Sequence, residues 1–288
     1  MKSILPIMLL LLSALGISSS SHSQDAVSVS SSLGQQDFSI QSKNTQDTRE
    51  IVVHLPKNYD PDREEGYPVI YMLDAGTADK MTAEIASFYH WGDLMPEVIV
   101  IGLKNVRRGF DFLPHYYGAK RDGEQVPGNG GKLLAYIENE LIPFADNQFN
   151  TNGDNVFAGH SWGGQFVTYA LSQSPGLFDA YFITSPAFGD DRKYSKKTFD
   201  ALEQTLKQDQ GFPDLIYLSV GGEGSPGPLS DSGLLPDYYR LTALLKQYLP
   251  EEVKFYHEVH DSANHTSNGA ISIAKALQLH FATSPEVE

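Results

Sequence analysis

One serine of this chain stands in a context that favours nucleophilic chemistry. Ser161 is the third residue of Gly159-His160-Ser161-Trp162-Gly163, which follows a short apolar run and leads into a segment with helical spacing. A serine on a sharp turn between a strand and a helix exposes its hydroxyl, and glycines allow the close approach that such a turn requires. The N–H groups and dipole of the following helix would stabilise negative charge on an attacked carbonyl oxygen. We therefore predict that Ser161 is the nucleophile of an acyl-transfer reaction.

This nucleophile needs a general base, because a serine hydroxyl is a weak nucleophile at neutral pH. In folds that present a serine in this way, the base follows the last strand, late in the chain. Three late histidines compete for the role: His257, His260 and His265. His257 and His260 fall on or at the end of a predicted strand, whereas His265 falls in the loop before the C-terminal helix. The loop position makes His265 the predicted base.

The third member of such a triad is a carboxylate, which holds the imidazole in one tautomer and stabilises its cation. It is expected between the serine and the histidine in chain order, at the end of a strand. Glu223 leaves the penultimate predicted strand at the right place, so we predict Glu223 as the acid. Asp231 and Asp261 remain alternatives, because carboxylates are frequent in this chain.

Two backbone N–H groups should bind the oxyanion that forms during the attack. One belongs to Trp162, the residue after the predicted nucleophile. The other should come from the loop after the strand predicted at residues 68–73, which reads Asp74-Ala75-Gly76. We predict Ala75 as the second donor, with Gly76 as the alternative.

The longest stretch without clear periodicity, residues 106–129, supplies candidate substrate contacts. A loop of that length in a compact domain is usually functional, so we expect it to form part of the substrate mouth. Arg108 either pairs with Asp111 or contacts an anionic substrate through its planar fork of donors. We predict Arg108, His160 and Tyr117 as substrate-binding residues. Further candidates for a positive or aromatic lining are Arg107, Lys120, Arg121, Tyr116 and Phe188.

The late histidines also admit a metal site, because imidazole and carboxylate ligands suit zinc. Its ligands would be His257, His260, Asp261 and His265. The chain has no HExxH string, and alternation along a strand would send His257 and His260 to opposite faces of the sheet. We therefore predict neither a metal nor another cofactor.

The elements that must position these residues alternate between short apolar runs and segments with helical spacing. The predicted strands cover residues 38–41, 49–55, 68–73, 98–103, 155–158, 180–184, 215–220 and 253–259. The predicted helices cover residues 78–91, 131–148, 162–173, 195–208, 236–248 and 267–281. This alternation indicates right-handed crossovers in a mainly parallel sheet. The sequence therefore predicts an α/β-hydrolase fold with a mainly parallel central sheet of about eight strands flanked by helices.

The N-terminal residues have the features of a secretory signal. Lys2 gives a positive start, residues 4–17 form an apolar run, and Ser21 and Ser23 are small residues suited to cleavage. The run is short for a membrane span, although an uncleaved anchor remains the alternative. We predict a signal peptide at 1–23, a flexible lead-in and edge strand at 24–47, and a single catalytic domain at 48–288. The predicted location is the periplasm or the medium.

Composition narrows the classes of partner. The 21 Lys and Arg residues against 36 Asp and Glu residues give a net charge of −15, which opposes nonspecific binding to nucleic acid or to an anionic membrane. The chain has no cysteine, which excludes a cysteine nucleophile, a thiolate zinc site and an iron–sulfur cluster. We expect a small-molecule ester as the partner, with no nucleic acid and no stable membrane insertion after signal removal.

Taken together, these residues resemble the esterase family that includes the enterochelin (ferric siderophore) esterases and, more distantly, esterase D. The resemblance is carried by VHLPKNYD (53–60), YPVIYMLD (67–74), NVRRGFDFLP (105–114), ELIPF (140–144), GHSWGG (159–164), FDAYFITSPA (178–187) and the late His265. It implies an α/β-hydrolase fold, ester hydrolysis and catalytic roles for Ser161, Glu223 and His265. The family commonly has Leu-Asp-Gly after its third strand, whereas this sequence has Leu-Asp-Ala-Gly at residues 73–76, which leaves the second oxyanion donor open.

The favoured function is an exported serine esterase that forms an acyl-enzyme on Ser161, with a siderophore ester as the leading substrate. A general or carbohydrate-linked acyl esterase is the alternative within the same chemistry. A non-catalytic α/β-hydrolase scaffold used for binding is the alternative from another class. The presence of both Ser161 and His265 argues against the scaffold, because a site without catalytic activity has no physical need for either residue.

Overall fold

The computed structural model describes residues 34–113, 115–121, 124–188, 192–208, 211–222 and 234–282, with side chains except at residues 115–126 and 192–195. The predicted signal peptide at 1–23 lies outside the described residues. So do Glu223 and Asp231, the predicted and one alternative triad acid.

A central sheet of eight strands organises the chain, and a two-stranded hairpin is separate from it. The strands are β1 (Gln35–Gln41), β2 (Thr48–His54), β3 (Tyr67–Met72), β4 (Ile99–Leu103), β5 (His115–Arg121), β6 (Glu124–Pro127), β7 (Thr151–His160), β8 (Ala180–Thr184), β9 (Leu215–Gly221) and β10 (Lys254–His260). The order across the large sheet is β1-β2-β4-β3-β7-β8-β9-β10. The pairs β1–β2 and β2–β4 are antiparallel and the other five are parallel. The predicted eight-stranded, mainly parallel sheet is confirmed.

Helices cover both faces of this sheet. They are α1 (Ala78–Trp91), α2 (Arg108–Asp111), α3 (Gly130–Tyr136), α4 (Ile142–Gln148), α5 (Trp162–Gln173), α6 (Arg192–Leu206), α7 (Leu234–Tyr248) and α8 (His265–Phe281). α1 and α8 pack together on one face, while α5, α6 and α7 lie side by side on the other. No helix among the described residues combines the length and the apolar character that a bilayer crossing requires.

Apolar strands account for the two cores of the fold, one on each face of the sheet. All six residues of β3 and all seven of β9 are buried, as expected for strands that helices cover on both sides. Each large apolar side chain that is buried in this way contributes roughly 1.5–3 kcal/mol. Because the parallel strands end at one edge, the loops that follow β3, β7, β8, β9 and β10 meet there.

Three local features differ from the sequence prediction. Residues 106–129, predicted as a loop, contain the short helix α2 and the hairpin of β5 and β6. The helix predicted at 131–148 is α3 and α4 joined by a wide turn at Ile137–Leu141, beside Pro143, which has no N–H for a helical hydrogen bond. His265 is the first residue of α8 rather than part of the preceding loop.

Candidate active site

Ser161 occupies a strained turn between β7 and α5. Its backbone has φ 61° and ψ −121°, a region that residues other than glycine rarely adopt. Its N–H donates to the carbonyl oxygen of Thr184 at 3.0 Å, and its carbonyl oxygen accepts from the N–H groups of Gln165 at 2.9 Å and Ala187 at 3.0 Å. The turn is therefore held from the end of β8 and from the first turn of α5.

The glycines of this turn are required by close packing. A Cβ atom on Gly159 would lie 2.6 Å from the backbone of Gly163, and one on Gly164 would lie 2.8 Å from the carbonyl oxygen of Thr184. No ordinary side chain fits at either position without a backbone shift. The strand-turn-helix arrangement predicted from the GxSxG string is confirmed, with Trp162 as the first residue of α5.

His265 lies next to this turn. The centroid of its ring is 4.7 Å from that of His160, the residue immediately before Ser161. α8 begins at His265 because Asn264 caps it: the Asn264 side chain accepts from the N–H of Ser267, whose hydroxyl in turn bonds to the Asn264 backbone. Burial lowers the pKa of His265 and the positive charge of Arg108 lowers it further. The imidazole is therefore neutral near pH 7, as a general base must be.

His160 is largely buried behind His265. Its Nδ1 lies 3.0 Å from Thr184 Oγ1, and its ring packs against the backbone of Gly269 in α8, where a Cβ atom would lie 3.4 Å from the ring. Burial, together with His265 and Arg108, lowers the pKa of His160 to about 3, although a hydrogen bond with the backbone of His265 acts in the opposite direction. His160 is thus a neutral wall of the site. Its predicted contact with substrate stays a prediction.

The two rival histidines are engaged elsewhere. His260 Nδ1 lies 2.7 Å from Asn268 Oδ1, and its Nε2 lies 3.2 Å from Glu258 Oε2. His257 Nδ1 lies 3.3 Å from the hydroxyl of Tyr238. These partners favour His265 over both rivals for the role of base.

The predicted triad acid, Glu223, follows directly after Gly222, where a described part of the chain ends. The N–H of Gly222 lies 3.0 Å from the carbonyl oxygen of His260 and 2.9 Å from that of Ala263. The chain is thereby brought against the loop that leads into His265, immediately before Glu223. Asp261, the remaining alternative, is exposed in the same loop. Glu223 stays the predicted acid.

The structure does not support the predicted second oxyanion donor. The N–H of Ala75 donates to the carbonyl oxygen of Leu103 at 3.1 Å, and the N–H of Gly76 donates to Asp79 Oδ1 at 2.6 Å. An N–H with such a partner can bind an oxyanion only by losing that bond, so the predictions for Ala75 and for its alternative Gly76 are both corrected.

Asp74 lies one residue earlier in the same loop. Its φ of 63° is in the left-handed region, and among the described residues its N–H has no hydrogen-bond acceptor. The preceding N–H, of Leu73, donates to the carbonyl oxygen of Ala158 in β7 at 3.1 Å. Unlike the N–H groups of Leu73, Ala75 and Gly76, that of Asp74 is therefore available to a ligand within the described part of the chain.

Arg108 joins this loop to the Ser161 turn. Its Nε donates to Asp74 Oδ1 at 2.6 Å and its Nη2 donates to Asp74 Oδ2 at 3.2 Å, in a fork geometry. Nη2 also donates to the carbonyl oxygen of His160 at 3.3 Å, and the guanidinium lies 5.7 Å from the ring centroid of Trp162. Burial raises the pKa of Asp74, and Arg108 acts against that rise.

The pairing of Arg108 with Asp111 considered from the sequence is wrong. Asp111 instead forms a buried pair with Arg49 from β2, with two N–O distances of 3.2 Å and side chains 1% and 3% exposed respectively. The Asn129 side chain and the N–H of Arg107 also donate to this carboxylate. Burial alone would raise the pKa of Asp111, but these partners hold it below its usual range. This anchor fixes α2 and so Arg108, and no local signal reveals it because its partners are 62 residues apart.

Two of the remaining substrate candidates, Phe188 and Arg107, have side chains that the structure describes. Phe188 is buried, with its ring centroid 4.9 Å from that of Phe199, so it packs in the core. Arg107 lies over the ring of Phe110 at 4.2 Å. The side chains of four others lie outside the described part of the structure: Tyr116, Tyr117, Lys120 and Arg121.

Several known proteins are similar to this chain in sequence and in fold. A family model described as "Putative esterase" matches residues 42–266. Ferri-bacillibactin esterase BesA from Bacillus subtilis is 31% identical over 199 residues, which cover 62% of this chain and 67% of that protein. An IroE-like serine hydrolase from Shewanella oneidensis superposes with a TM-score of 0.72 at 28% identity, covering 86% of this chain and 80% of that one. Siderophore hydrolase EstB from Aspergillus nidulans superposes with a TM-score of 0.72 at 20% identity, covering 90% and 98%. The predicted α/β-hydrolase fold is confirmed.

Proposed function

Since the chain belongs to the "Putative esterase" family, we propose that it is a serine esterase that hydrolyses carboxylic esters through an acyl-enzyme on Ser161. The observation that carries this proposal is the backbone of Ser161, held at φ 61° between β7 and α5 with the ring of His265 packed against the preceding residue. Strain of this kind costs about 1–3 kcal/mol and persists where the surrounding structure enforces it, which is common at active sites.

The proposed reaction has two halves. Ser161 Oγ bonds to the ester carbonyl carbon while His265 takes the hydroxyl proton. The C–O bond to the alcohol then breaks, and His265 gives its proton to the departing oxygen. A water molecule, deprotonated by His265, next attacks the acyl-enzyme. The bond between the acyl carbon and Ser161 Oγ then breaks, which releases the acid, and His265 returns the proton to Ser161.

The proposed oxyanion donors are the backbone N–H groups of Trp162 and Asp74. Trp162 follows the nucleophile at the positive end of the α5 dipole. Asp74 replaces Ala75, whose N–H is already bonded to Leu103. Arg108 supports this arrangement because it binds the Asp74 carboxylate and the backbone carbonyl of His160 together. Glu223 completes the proposal as the residue that orients His265.

A siderophore ester is the proposed substrate. EstB is named a siderophore hydrolase, and BesA, which is 31% identical to this chain over 199 residues, is named a ferri-bacillibactin esterase. Ferric catecholates are strongly anionic, whereas this chain has a net charge of −15, so local positive charge is needed at the mouth. Arg108 is the candidate: Asp74 pairs with its Nε and Nη2, but the side chain is 38% exposed, and its Nη1 makes no hydrogen bond within the described residues and can donate to an anionic substrate.

The test compares two substrates across four enzymes. Hydrolysis of a short p-nitrophenyl ester and of a ferric catecholate trilactone is measured for the wild type, Ser161→Ala, Arg108→Gln and Arg108→Lys. We expect Ser161→Ala to abolish both activities. We expect Arg108→Gln to impair the trilactone more than the neutral ester, with Arg108→Lys closer to the wild type because it keeps the charge.

The outcomes separate the remaining alternatives. Cleavage of the neutral ester without the trilactone would favour a general or carbohydrate-linked acyl esterase. A folded wild type that cleaves neither would favour a binding scaffold. Retention of activity in Ser161→Ala would overturn the proposed nucleophile.

Export is part of the same proposal, with residues 1–23 as a cleaved signal and the enzyme acting in the periplasm or the medium. The positive start at Lys2 and the apolar run at 4–17 support it. N-terminal sequencing of the protein recovered from cell fractions tests it. A chain in the cytoplasm that retains its first residues would contradict it.

A further inference from the structure

Asn268 occupies a fully buried position in the first turn of α8, three residues after His265. Its Nδ2 donates to Ser185 Oγ at 2.8 Å and to Ser219 Oγ at 3.3 Å. Its Oδ1 lies 2.7 Å from His260 Nδ1. One carboxamide therefore uses both of its donors and its acceptor on three different segments of chain.

The three partners belong to the edge of the sheet where the site lies. Ser185 directly follows β8, Ser219 lies in β9 and His260 ends β10. The residue before Ser185, Thr184, accepts the N–H of Ser161. The bond from Asn268 to Ser185 therefore connects the helix that begins with His265 to the strand end that holds the Ser161 turn.

Neighbouring bonds fix the direction of this carboxamide. Ser219 Oγ donates its own proton to Ser272 Oγ at 2.7 Å, so Ser219 accepts from Asn268. Because both serines accept from Nδ2, the Oδ1 end of the carboxamide is the one that faces His260 Nδ1.

The helix does not need Asn268 in order to form. The capping box of Asn264 and Ser267 already satisfies its first turn, and an apolar side chain of similar size would fill the same volume without a buried polar group. The carboxamide instead fixes the position of the first turn of α8 relative to β8, β9 and β10, because its hydrogen bonds join that turn to them. On the same turn, Gly269 packs against the ring of His160.

We infer that Asn268 is a positioning residue, which sets the placement of His265 relative to Ser161 through its hydrogen bond to Ser185. This inference rests on the proposed function, because it assigns His265 as the base. Asn268 itself touches no reacting atom and acts through the helix that carries His265.

Titration of the functional active sites separates an effect on the placement of His265 from a loss of folded protein. A burst of p-nitrophenol from a p-nitrophenyl ester measures the concentration of functional sites, and the acylation rate is then expressed per site. Asn268→Ala and Ser185→Ala remove the two ends of one bond. Asn150→Ala is the control, because the Asn150 side chain is also held by a hydrogen bond from its Nδ2, at 2.6 Å to the carbonyl oxygen of Arg63, but Asn150 lies just before β7, at the opposite ends of the strands.

We expect Asn268→Ala and Ser185→Ala each to lower the acylation rate per site by about tenfold to a hundredfold, because small displacements of reacting groups have effects of this size. The double variant should be little worse than Asn268→Ala, and Asn150→Ala should remain within about twofold of the wild type. If Asn268→Ala does not fold, Ser185→Ala carries the test alone, since it keeps the bonds of Asn268 to Ser219 and His260.

Failure of this inference can be distinguished from failure of the proposed function. A smaller burst with an unchanged rate per site in Asn268→Ala and Ser185→Ala would overturn the inference and leave Asn268 a purely structural residue. Activity in Ser161→Ala would overturn the proposed function instead.

Discussion

The ring of His265 packs against the ring of His160, with 4.7 Å between their centroids. This contact brings a residue from the first turn of α8 against the residue that precedes Ser161, although the two histidines are more than one hundred residues apart in the chain. The largely buried, neutral ring of His160 is part of the surroundings that bury His265, and burial is the first cause of the lowered pKa of His265.

The pH dependence of activity should follow His265. Its unprotonated form is the active one, and burial followed by the charge of Arg108 lowers its pKa. We therefore expect kcat/KM for a neutral ester to fall on the acidic side with a midpoint below 6.5, the ordinary value for histidine. In Arg108→Gln the loss of positive charge should raise that pKa and move the acidic limb to higher pH. The control, Arg108→Lys, keeps the charge and should leave the limb in place, so an equal movement in both variants would contradict the assigned cause.

The stability of the protein in acid should depend on His160. Burial, together with His265 and Arg108, lowers its pKa to about 3 in the folded state, against 6.5 for an ordinary histidine. A depressed pKa means that the unfolded chain binds a proton more readily, so stability is complete above pH 6.5 and is lost as the pH falls towards 3. Between pH 7 and pH 5 we expect this group to remove about 2 kcal/mol from the free energy of unfolding.

Urea denaturation of the wild type and of His160→Gln at both pH values measures this difference. Glutamine keeps hydrogen-bonding capacity but cannot titrate, so the acid-dependent loss should be smaller in the variant. Parallel losses in the two proteins would show that other groups account for acid sensitivity.

The Asp74 loop should depend on Asp79, a residue that the sequence did not point to. Asp79 is fully buried; its Oδ1 accepts the N–H of Gly76 at 2.6 Å and its Oδ2 lies 2.7 Å from His54 Nε2. If this loop supplies an oxyanion donor, Asp79→Ala should lower kcat, by an amount that approaches the hundredfold or so typical of losing one donor, with little change in KM. His54→Ala removes only the other partner of Asp79 and should have a smaller effect. Equal effects of the two substitutions on kcat would argue against a role for the Gly76 bond.

The Ser161 turn and the elements around it were predictable because a few neighbouring residues determine each of them. The Ser161 turn needs glycines at fixed positions between a strand and a helix, and these are visible in a few residues of sequence. The strand at Ala180–Thr184 and the helices at Ala78–Trp91 and Trp162–Gln173 were predicted to the residue, because apolar runs and helical spacing directly reflect burial.

The parts that failed depend on partners far along the chain. Ala75 was a reasonable oxyanion donor until the structure showed its N–H bonded to Leu103 on the next strand. Arg108 and Asp111 are three residues apart, yet each pairs with a residue from another element, Asp74 and Arg49 respectively. Sequence spacing gives the candidates for an ion pair, but tertiary packing chooses among them.

The central claim is that Ser161 is the nucleophile and His265 its base, and covalent labelling tests it most directly. The full chain is incubated with diethyl p-nitrophenyl phosphate, and the labelled peptide is identified by mass spectrometry. We predict a single diethylphosphoryl group on Ser161, no label in Ser161→Ala and slow labelling in His265→Gln. A label on a different residue, or esterase activity that survives in Ser161→Ala, would contradict the account.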